Sequence, residues 1–387
     1  MPSRAEPFRP PARLLLGPGP SGVDPRVLAA MAHPPLGHLD PDFLSLMDDV
    51  RQMLREVFVT ANEVTLAVPG TGTAGMEAAV ANLVEPGDRV VVCVAGYFGA
   101  RMAEMARRLG ARVTAVEAPW GASVPPGPVE DALRRADGPV KVVSLVHAET
   151  STGVLQPLDD IVRLARRAGA LVLVDAVTSL GGMPLAVDAV GGSGIDVCYS
   201  GTQKCLGSPP GLAPITVSPR AWEAIRSRRA ACASFYLDLV LLNAYWGGDR
   251  AYHHTAPINA LYGLRESLRL LLDEGLTARF DRHRRAHEQL RRGVEGLGLS
   301  FLVEEDSRLP MLNALRVPEG ADDREVRRRL LAEHHIEIGG GLGPLAGAVW
   351  RVGLMGSSAR EENVARFLTA MRIILGAPRM SKAPRRS

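Results

Sequence analysis

The sequence of 387 residues lacks any apolar run that approaches the roughly 20 residues a membrane-spanning helix needs. Its arginine-bearing N-terminus is interrupted by prolines and is followed by no apolar segment, so we predict neither a membrane protein nor a secretory signal peptide. It also lacks an excess of one charge: the formal net charge is +3 and the basic residues are scattered. This charge pattern disfavours a nucleic-acid partner.

Cysteine is scarce, and its spacing excludes two kinds of site. None of the four cysteines forms a C-x-x-C pair, so the sequence predicts neither a zinc site nor a disulfide framework. The pair His253-His254 has no acidic partner at ligand spacing, and adjacent histidines point in different directions, so we predict no metal site there either. Cysteines of this kind fit a reducing, cytoplasmic compartment.

Lysine is unusually rare. Of the 45 lysines and arginines only three are lysines, at positions 141, 204 and 382. The chain therefore uses arginine wherever positive charge alone is sufficient. A lysine within a well-formed motif is informative, because an amine can lose its proton and attack a carbonyl group whereas a guanidinium cannot.

Apolar segments alternate with amphipathic helical segments over the first two hundred residues. Strands are predicted at 64–68, 89–94, 112–116, 140–146 and 171–174, and a helix at 42–59 precedes them; another apolar segment lies at 195–199. Because these strands are apolar on both faces and most are separated by helices, the pattern predicts an α/β fold with a mostly parallel sheet covered by helices. Ligands of such sheets bind beyond the carboxyl ends of the strands.

The last third of the chain is predicted to form a smaller α+β unit. A long arginine-rich helix after Leu276 precedes short strands at 300–303, 312–317, 336–338 and 349–354 and helices at 324–333 and 361–374. Residues 1–22 are rich in proline and are typical of an extended arm. We therefore expect an arm (1–22), a large domain (23–280) and a small C-terminal domain (281–387).

A glycine-rich segment, Gly70-Thr-Gly-Thr-Ala-Gly75, is predicted to be a turn between a strand and a helix through 77–83. The matching dinucleotide motif needs an acidic residue at the end of the next strand, but this chain has Val94-Ala95-Gly96 there, which disfavours NAD. The alternative that this segment is a tight turn that binds no ligand is not excluded. Free backbone N–H groups at a helix N-terminus favour a phosphate.

Asp175 ends an apolar strand segment, and Lys204 ends the segment Ser200-Gly-Thr-Gln-Lys204. An enzyme that works through a Schiff base needs this pair: an amine to hold an aldehyde and an acid to keep a pyridine nitrogen protonated. Taken singly, Asp175 could be a strand-end turn residue and Lys204 a surface residue. His147, at another predicted strand end, either faces the same site or satisfies the strand end.

Several motifs in order resemble one known family. They are Leu16-Gly-Pro-Gly-Pro20, Gly70-Thr-Gly-Thr73, Gly96-Tyr-Phe-Gly99, His147-Ala-Glu-Thr-Ser-Thr-Gly-Val-Leu-Gln-Pro157, Val174-Asp-Ala-Val-Thr-Ser-Leu-Gly-Gly182, Ser200-Gly-Thr-Gln-Lys204, Ser234-Phe-Tyr-Leu-Asp238, Tyr252-His-His-Thr255, Leu264-Arg-Glu-Ser267, Gly339-Gly-Gly-Leu-Gly-Pro344 and Trp350-Arg-Val-Gly-Leu354. The chain resembles the alanine–glyoxylate and serine–pyruvate aminotransferases, a class V branch of the fold-type I enzymes that use pyridoxal 5'-phosphate. The resemblance covers residues 14–375.

The resemblance implies three roles in the reaction. Lys204 would be the Schiff-base lysine and would later carry the proton between substrate and cofactor. Asp175 would hold the pyridinium nitrogen of pyridoxal phosphate. Arg351 would bind the α-carboxylate of the substrate, a role that composition alone does not single out among 42 arginines.

The resemblance also implies further cofactor contacts. These are made by Thr71, Gly72, Thr73, Phe98, Thr150, Val177 and Gln203, with the phosphate bound by Thr71, Gly72 and Gln203, the ring stacked on Phe98 and Val177 against the ring. Thr73, Phe98 and Thr150 stand where the relatives carry His, Trp and Ser. Tyr252 and Thr255 would reach the phosphate of a neighbouring subunit, which predicts a homodimer with shared sites.

The expected reaction moves the amino group of alanine to glyoxylate, giving glycine and pyruvate. Serine–glyoxylate, serine–pyruvate and ureidoglycine–glyoxylate aminotransferases remain alternatives, because few residues set a small side-chain pocket. A cysteine desulfurase is disfavoured, since it needs a mobile-loop thiol and no cysteine follows Cys232. A non-catalytic pyridoxal-phosphate regulator would need an attached DNA-binding domain, for which the chain has no spare length.

Overall fold

The computed structural model describes residues 7–376, which form an α/β fold with a seven-stranded sheet, a three-stranded sheet and two two-stranded sheets. The strands are β1 (Leu14–Leu15), β2 (Val64–Pro69), β3 (Arg89–Val94), β4 (Arg112–Glu117), β5 (Val140–Val146), β6 (Ala148–Glu149), β7 (Val154–Leu155), β8 (Leu171–Asp175), β9 (Val197–Tyr199), β10 (Leu212–Val217), β11 (Leu312–Arg316), β12 (Ile336–Glu337), β13 (Gly339–Gly340) and β14 (Val349–Gly353). The helices are α1 (Pro25–Met31), α2 (Pro41–Phe58), α3 (Gly72–Leu83), α4 (Tyr97–Arg108), α5 (Pro126–Arg135), α6 (Asp159–Arg167), α7 (Pro219–Arg226), α8 (Leu239–Trp246), α9 (Ile258–Glu274), α10 (Leu276–Gly296), α11 (Asp323–His334) and α12 (Glu361–Leu375).

Helix α2 illustrates how local sequence sets an element. The carboxylate of Asp40 accepts the N–H of Asp42 at 2.9 Å, and a proline occupies the first helical position. Apolar residues then recur every three or four positions along the face that the structure buries. The helix ends at a left-handed Val59, with φ of 52°. The predicted helix is confirmed, with each boundary within one residue.

The large sheet has seven strands in the order β2-β10-β9-β8-β5-β3-β4. Strand β10 alone runs antiparallel to its neighbours, and the other six point the same way. The five predicted strands are confirmed, and the apolar segment at 195–199 contains β9, whereas β10 was not predicted. Because the six parallel strands share one direction, β2, β3, β5, β8 and β9 all end at the same edge of the sheet.

The small sheet, β11-β14-β13, is antiparallel and packs with α10, α11 and α12 around a second apolar core. The strand predicted at 300–303 is wrong. Phe301 of that segment joins the second core, but the backbone of the segment bonds to that of β11 only through Arg316 N–H to Ser300 O and Leu302 N–H to Ala314 O, so it forms an isolated bridge. Its alternating apolar residues are explained by burial of side chains, and the segment does not form a ladder of β-sheet hydrogen bonds.

The described part of the N-terminal arm, residues 7–22, packs on the small unit. Strand β1 pairs in parallel with β12, where Leu14 lies opposite Ile336, and Leu16 is buried with Trp350 in the second core. Residues Val190–Gly192 form a short turn of 3-10 helix, and Ala189 and Ser193 on either side of it are exposed. No helix within residues 7–376 is both long and apolar enough to cross a bilayer.

Candidate active site

A cavity of about 490 Å³ opens at the edge where the parallel strands end. It is lined by Gly72, Thr73, Met76, Phe98, Arg101, Val146, Thr150, Asp175, Val177, Gln203 and Lys204. Eight of these residues were predicted as site residues from the sequence. Met76, Arg101 and Val146 were not, because nothing in their local sequence distinguishes them from ordinary helix and strand residues.

Lys204 lies just after β9, with only 8% of its surface exposed. Burial, together with the nearby charge of Arg351, lowers the pKa of its ammonium group to about 8. A neutral amine is therefore accessible near physiological pH, which attack on a carbonyl carbon requires. The Nζ atom donates a hydrogen bond to the carbonyl oxygen of Pro18.

The N-terminal arm covers this lysine through Gly19. The backbone of Gly19 has φ of +112°, and a Cβ atom placed there would lie 2.7 Å from Lys204 Nζ. Only glycine combines that conformation with that close approach. Sequence reasoning listed Gly19 within a family motif but assigned it no role; the glycine between two prolines was the available signal.

Asp175 is the last residue of β8, and 3% of its surface is exposed. Its Oδ2 accepts the hydroxyl of Tyr199 at 2.7 Å, and its Oδ1 accepts the N–H of Val177 at 2.8 Å. Burial raises the pKa of Asp175 to about 6, although these two hydrogen bonds oppose the increase. The carboxylate is thus ionised at neutral pH and held in one orientation.

The first turn of α3 forms the wall of the cavity opposite Lys204. The helix begins at Gly72, so the predicted glycine-rich turn is shorter than expected and Gly75 already lies inside the helix. Thr71 is the N-cap, but its hydroxyl makes no capping hydrogen bond. A Cβ atom on Gly72 would lie 2.9 Å from Val177, so the glycine lets the helix start close to the cavity.

Phe98 is positioned by a buried carboxylate that sequence reasoning missed. Glu149 accepts the N–H groups of Phe98 at 3.2 Å and Gly99 at 3.3 Å, and the hydroxyl of Ser151 at 2.6 Å. Burial raises the pKa of Glu149. The bond to the first turn of α4 places a negative charge where the helix dipole favours it and fixes the ring that follows. Glu149 lies within the family motif that runs from His147 to Pro157, but nothing in that motif assigned it a role.

Arg101 lies one turn after Phe98 at the mouth of the cavity. Its Nη1 donates to Thr73 Oγ1 at 2.9 Å, and its guanidinium carbon is 5.0 Å from the centre of the Phe98 ring. Thr73 and Phe98, two positions that differ from the relatives, are therefore joined by one cation.

Arg351 extends from β14 of the small unit to Thr150, a residue that lines the cavity, although Arg351 itself is not part of the lining. Its Nε donates to Gly340 O at 2.7 Å and its Nη1 to Thr150 O at 3.2 Å. No carboxylate lies within ion-pair distance of it among residues 7–376, and burial lowers its pKa to about 10. A buried cation without an acidic partner is suited to binding an anionic ligand.

Tyr252 and Thr255 do not line the cavity of their own chain. Tyr252 is 62% exposed, its ring lying 5.1 Å from that of His38, and Thr255 is also exposed. Both were predicted to act on a neighbouring subunit, which requires the exposure that the single chain shows. The exposed rings of Phe235 and Tyr236 are close by, against His253.

His147 is buried at the end of β5 and does not line the cavity. Its backbone N–H donates to Asp175 O at 2.9 Å, which supports the interpretation that His147 extends the hydrogen bonding between the strand ends and does not face the site. Burial lowers its pKa to about 4. No group of three or more His, Cys, Asp or Glu side chains suited to a metal ion occurs in the described part of the chain.

The residues around the cavity fit pyridoxal 5'-phosphate. Lys204 offers the amine, Asp175 the acid, Phe98 an aromatic face and the first turn of α3 free N–H groups for a phosphate. The side-chain amide of Gln203 has a buried Oε1 without a hydrogen-bond partner among the described residues. An amide presents either a donor or an acceptor on rotation, so Gln203 is available for a polar ligand.

Comparisons with known proteins agree with this geometry. The family model described as aminotransferase class-V matches residues 21–362. The chain is 43% identical over 371 residues to alanine–glyoxylate aminotransferase of Oryctolagus cuniculus, covering 95% of this chain and 93% of that protein. It is 40% identical to (S)-ureidoglycine–glyoxylate transaminase of Bacillus subtilis, covering 94% and 91%. A crystal structure of alanine–glyoxylate aminotransferase from Nostoc sp. superimposes with a TM-score of 0.93 at 51% identity, covering 96% and 98%.

Proposed function

This chain belongs to the class-V aminotransferases, enzymes that depend on pyridoxal phosphate, and on that premise we propose that it transfers the amino group of L-alanine to glyoxylate. The products would be glycine and pyruvate. The presence of Lys204 and Asp175 in one cavity, with Arg351 bonded to the lining residue Thr150, carries the proposal, because it unites an amine, an acid for a ring nitrogen and a carboxylate receptor. Glyoxylate is common to the names of both kinds of relative described above.

Lys204 performs two tasks in the proposed reaction. When bound, pyridoxal phosphate supplies an aldehyde that condenses with amines and a ring that accepts the electrons of a breaking Cα–H bond. Lys204 Nζ holds the resting cofactor and is freed when an amino donor takes its place. The freed amine takes the proton from the donor Cα and delivers a proton in the reverse direction for the acceptor. Its lowered pKa of about 8 suits that exchange near neutral pH.

Asp175 and Arg351 each pair with an oppositely charged group, the ring nitrogen of the cofactor and the α-carboxylate of the substrate. Asp175 keeps a proton on the ring nitrogen, and its ionised state at neutral pH follows from a pKa of about 6. Arg351 pairs with the α-carboxylate of both the amino donor and the oxo acid, which orients the Cα–H bond toward Lys204. Thr71, Gly72 and Gln203 bind the phosphate, while Phe98, Thr150 and Val177 contact the ring and its substituents.

The donor is the finer part of the proposal. Serine and ureidoglycine carry hydrogen-bonding groups that alanine lacks, so a site that accepts them must offer partners for those groups. Thr73 and the neighbouring Arg101 supply such partners at the mouth of the cavity. Alanine remains our choice because alanine–glyoxylate aminotransferases are prominent among the relatives of high identity and coverage.

We propose a homodimer in which Tyr252 and Thr255 of one chain complete the phosphate site of the other. The support is that both residues are exposed and lie next to other exposed aromatic side chains, Phe235 and Tyr236. Tyrosine and phenylalanine are enriched at protein interfaces, and isolated chains seldom expose several together.

The domain limits and the compartment also remain proposals. Boundaries at residues 22 and 280 are supported by two separate apolar cores, although Leu16 of the arm joins the C-terminal one. Four free cysteines, three of them buried, support a reducing compartment such as the cytoplasm.

The first test is a half-reaction. The pyridoxal-phosphate-loaded protein is mixed with L-alanine without an oxo acid, and the visible absorption of the cofactor and the pyruvate formed are measured. We expect the visible band to disappear with one pyruvate per site, and glyoxylate to restore it with formation of glycine. If alanine leaves the band unchanged while L-serine or (S)-ureidoglycine removes it, the donor is reassigned. If no amino acid removes it, the aminotransferase proposal fails.

A further inference from the structure

Tyr199 is a fully buried polar residue to which the reaction above gives no part. It lies at the end of β9, directly opposite Asp175 of β8 in the register of the parallel pair. Side chains opposite one another on adjacent strands lie on the same face of a sheet. The Tyr199 hydroxyl consequently meets Asp175 Oδ2 at 2.7 Å, and this is its one hydrogen bond among the described residues.

The Tyr199 hydroxyl stays protonated and so remains a hydrogen-bond donor. Burial and the adjacent Asp175 carboxylate raise the pKa of Tyr199 far above its ordinary value, so the phenol keeps its proton throughout the working pH range. Its ring is held against α3, since a Cβ atom on Gly75 would lie 3.3 Å from Tyr199 Cδ2. A donor that neither ionises nor moves can stabilise charge on Asp175 without reorganisation.

Asp175 needs such a donor because its surroundings oppose its charge. Burial raises its pKa, and the negative charge of the nearby Glu149 raises it further. Among residues 7–376, its carboxylate accepts hydrogen bonds only from the Val177 N–H and the Tyr199 hydroxyl. The Val177 N–H belongs to the backbone, so Tyr199 is the one of these two donors whose hydrogen bond depends on the side chain.

We propose that Tyr199 is a positioning residue that holds Asp175 ionised and oriented, and so keeps the shared proton on the ring nitrogen of the cofactor rather than on the carboxylate. The proposal deepens and rests on the function proposed above. Without the hydroxyl, the carboxylate would be the better base, and the proton between it and the ring would move toward Asp175. The ring would then be a weaker electron sink.

The test compares Tyr199→Phe with Tyr245→Phe. Tyr245 is an equally buried tyrosine whose hydroxyl donates to His38 O at 2.6 Å, outside the cavity. Each protein is loaded with pyridoxal phosphate labelled with ¹⁵N in the ring, and the ¹⁵N chemical shift is recorded at pH 7.5 without any amino donor. In parallel, kcat and KM for alanine and the melting temperature are measured.

For Tyr199→Phe we expect the ¹⁵N signal to move toward that of a neutral pyridine. We also expect kcat to fall roughly 10- to 100-fold with KM for alanine changed less than about twofold, the effect of losing one hydrogen bond to a charged group. Tyr245→Phe should match the wild type in both. A wild-type ¹⁵N shift in Tyr199→Phe overturns the proposal even if kcat falls, because the tyrosine would then be only structural.

A second variant protects the test against poor folding of Tyr199→Phe. Replacing Tyr199 with 3-fluorotyrosine and then 3,5-difluorotyrosine keeps the ring and makes the hydroxyl a progressively stronger donor. The ring-nitrogen signal should shift stepwise toward the protonated side, and the absence of any trend overturns the proposal. Because the ¹⁵N readout requires no substrate, a failure to find an amino donor would count against the proposed function alone.

Discussion

The edge of the large sheet and the segment around Tyr252 are both expected to hold one cofactor, but they are built in opposite ways. Asp175 and Lys204 are 3% and 8% exposed, and burial changes the pKa of each toward neutrality. Tyr252 is 62% exposed. Residues that take part in the reaction need an environment from which water is excluded, and the interior of a single chain provides it. A residue that only completes the binding site can come from the surface of a second chain.

The comparison predicts that losses at the sheet edge are large and local, and that losses at the exposed segment can be repaired by another copy. Arg351 is intermediate: it comes from the small unit yet contacts Thr150 in the large one. Its contribution should lie between the two extremes, and the variants below are arranged by expected effect.

Lys204→Ala should give the largest effect. We expect turnover to fall by roughly 1,000-fold or more, because no other described residue at the cavity offers an amine. Steady-state formation of pyruvate from alanine measures it. The matched control is Lys141→Ala, which removes a lysine paired with Glu85 and Asp88 away from the cavity and should change turnover less than about twofold. Retained activity in the Lys204 variant would remove the sheet edge from the mechanism.

Arg351→Gln should be the next largest. Loss of a charge-assisted pair with the substrate carboxylate should raise KM for alanine and glyoxylate roughly 10- to 100-fold while changing kcat less. Arg316→Gln on the adjacent strand β11 is the control, since Arg316 is exposed and lies opposite Val349 in the register. Equal saturation curves for wild type and Arg351→Gln would refute carboxylate binding by this residue.

The double change Tyr252→Phe and Thr255→Val should have a smaller effect. If each hydroxyl contributes one hydrogen bond to the phosphate, cofactor affinity should fall roughly 5- to 50-fold, as measured by titration of the cofactor-free protein. The Tyr236→Phe variant, at another exposed tyrosine, controls for general disturbance of this surface.

Subunit exchange sharpens the same prediction. A mixture of the Lys204→Ala protein with the Tyr252→Phe/Thr255→Val protein should regain activity, because one site of each hybrid dimer would have an intact lysine and intact phosphate contacts. The maximum is about half of the wild-type activity per hybrid dimer. A mixture no more active than the sum of its parts would show that these residues do not act on a neighbouring subunit.

The smallest expected effect is on stability without cofactor. The folded-state pKa of Asp175 is raised from 3.8 to about 6, so the folded state binds a proton more tightly than the unfolded state does. The resulting stabilisation is fully present below about pH 4 and is lost as the pH rises through 6. Relative to Asp175→Asn, the wild type should therefore lose free energy of unfolding between pH 4 and 6, as urea unfolding can measure. A constant difference across that range would contradict the raised pKa.

Much of the scaffold followed from periodicity. Helix α2 and five of the six parallel strands were predicted, because burial of one helix face or of both strand faces leaves a recognisable pattern of apolar residues in the sequence. Two errors have one cause. Strand β10 was missed and residues 300–303 were wrongly assigned as a strand, because a ladder depends on a partner strand, which the local sequence does not describe.

The candidate site was predictable where function leaves a local signature, as it does for a lysine in an arginine-rich chain. Lys204 and Asp175 also stand at the ends of buried segments, which parallel strands bring to one edge. Glu149, Arg101 and Tyr199 carry no such signature. Their importance depends on contacts with residues 24 to 51 positions away, such as Tyr199 with Asp175 and Glu149 with Phe98.

By itself, the amino-acid sequence determined the order of strands and helices, the residue types able to form a Schiff base, and the family. Only the tertiary structure decided which strands are neighbours, and therefore that Tyr199 donates to Asp175, that Gly19 covers Lys204 and that Arg351 reaches across from the small unit. The reason is physical. Hydrophobic patterning specifies which face of an element is buried, whereas register, burial and the resulting pKa shifts arise from the particular neighbours that folding supplies.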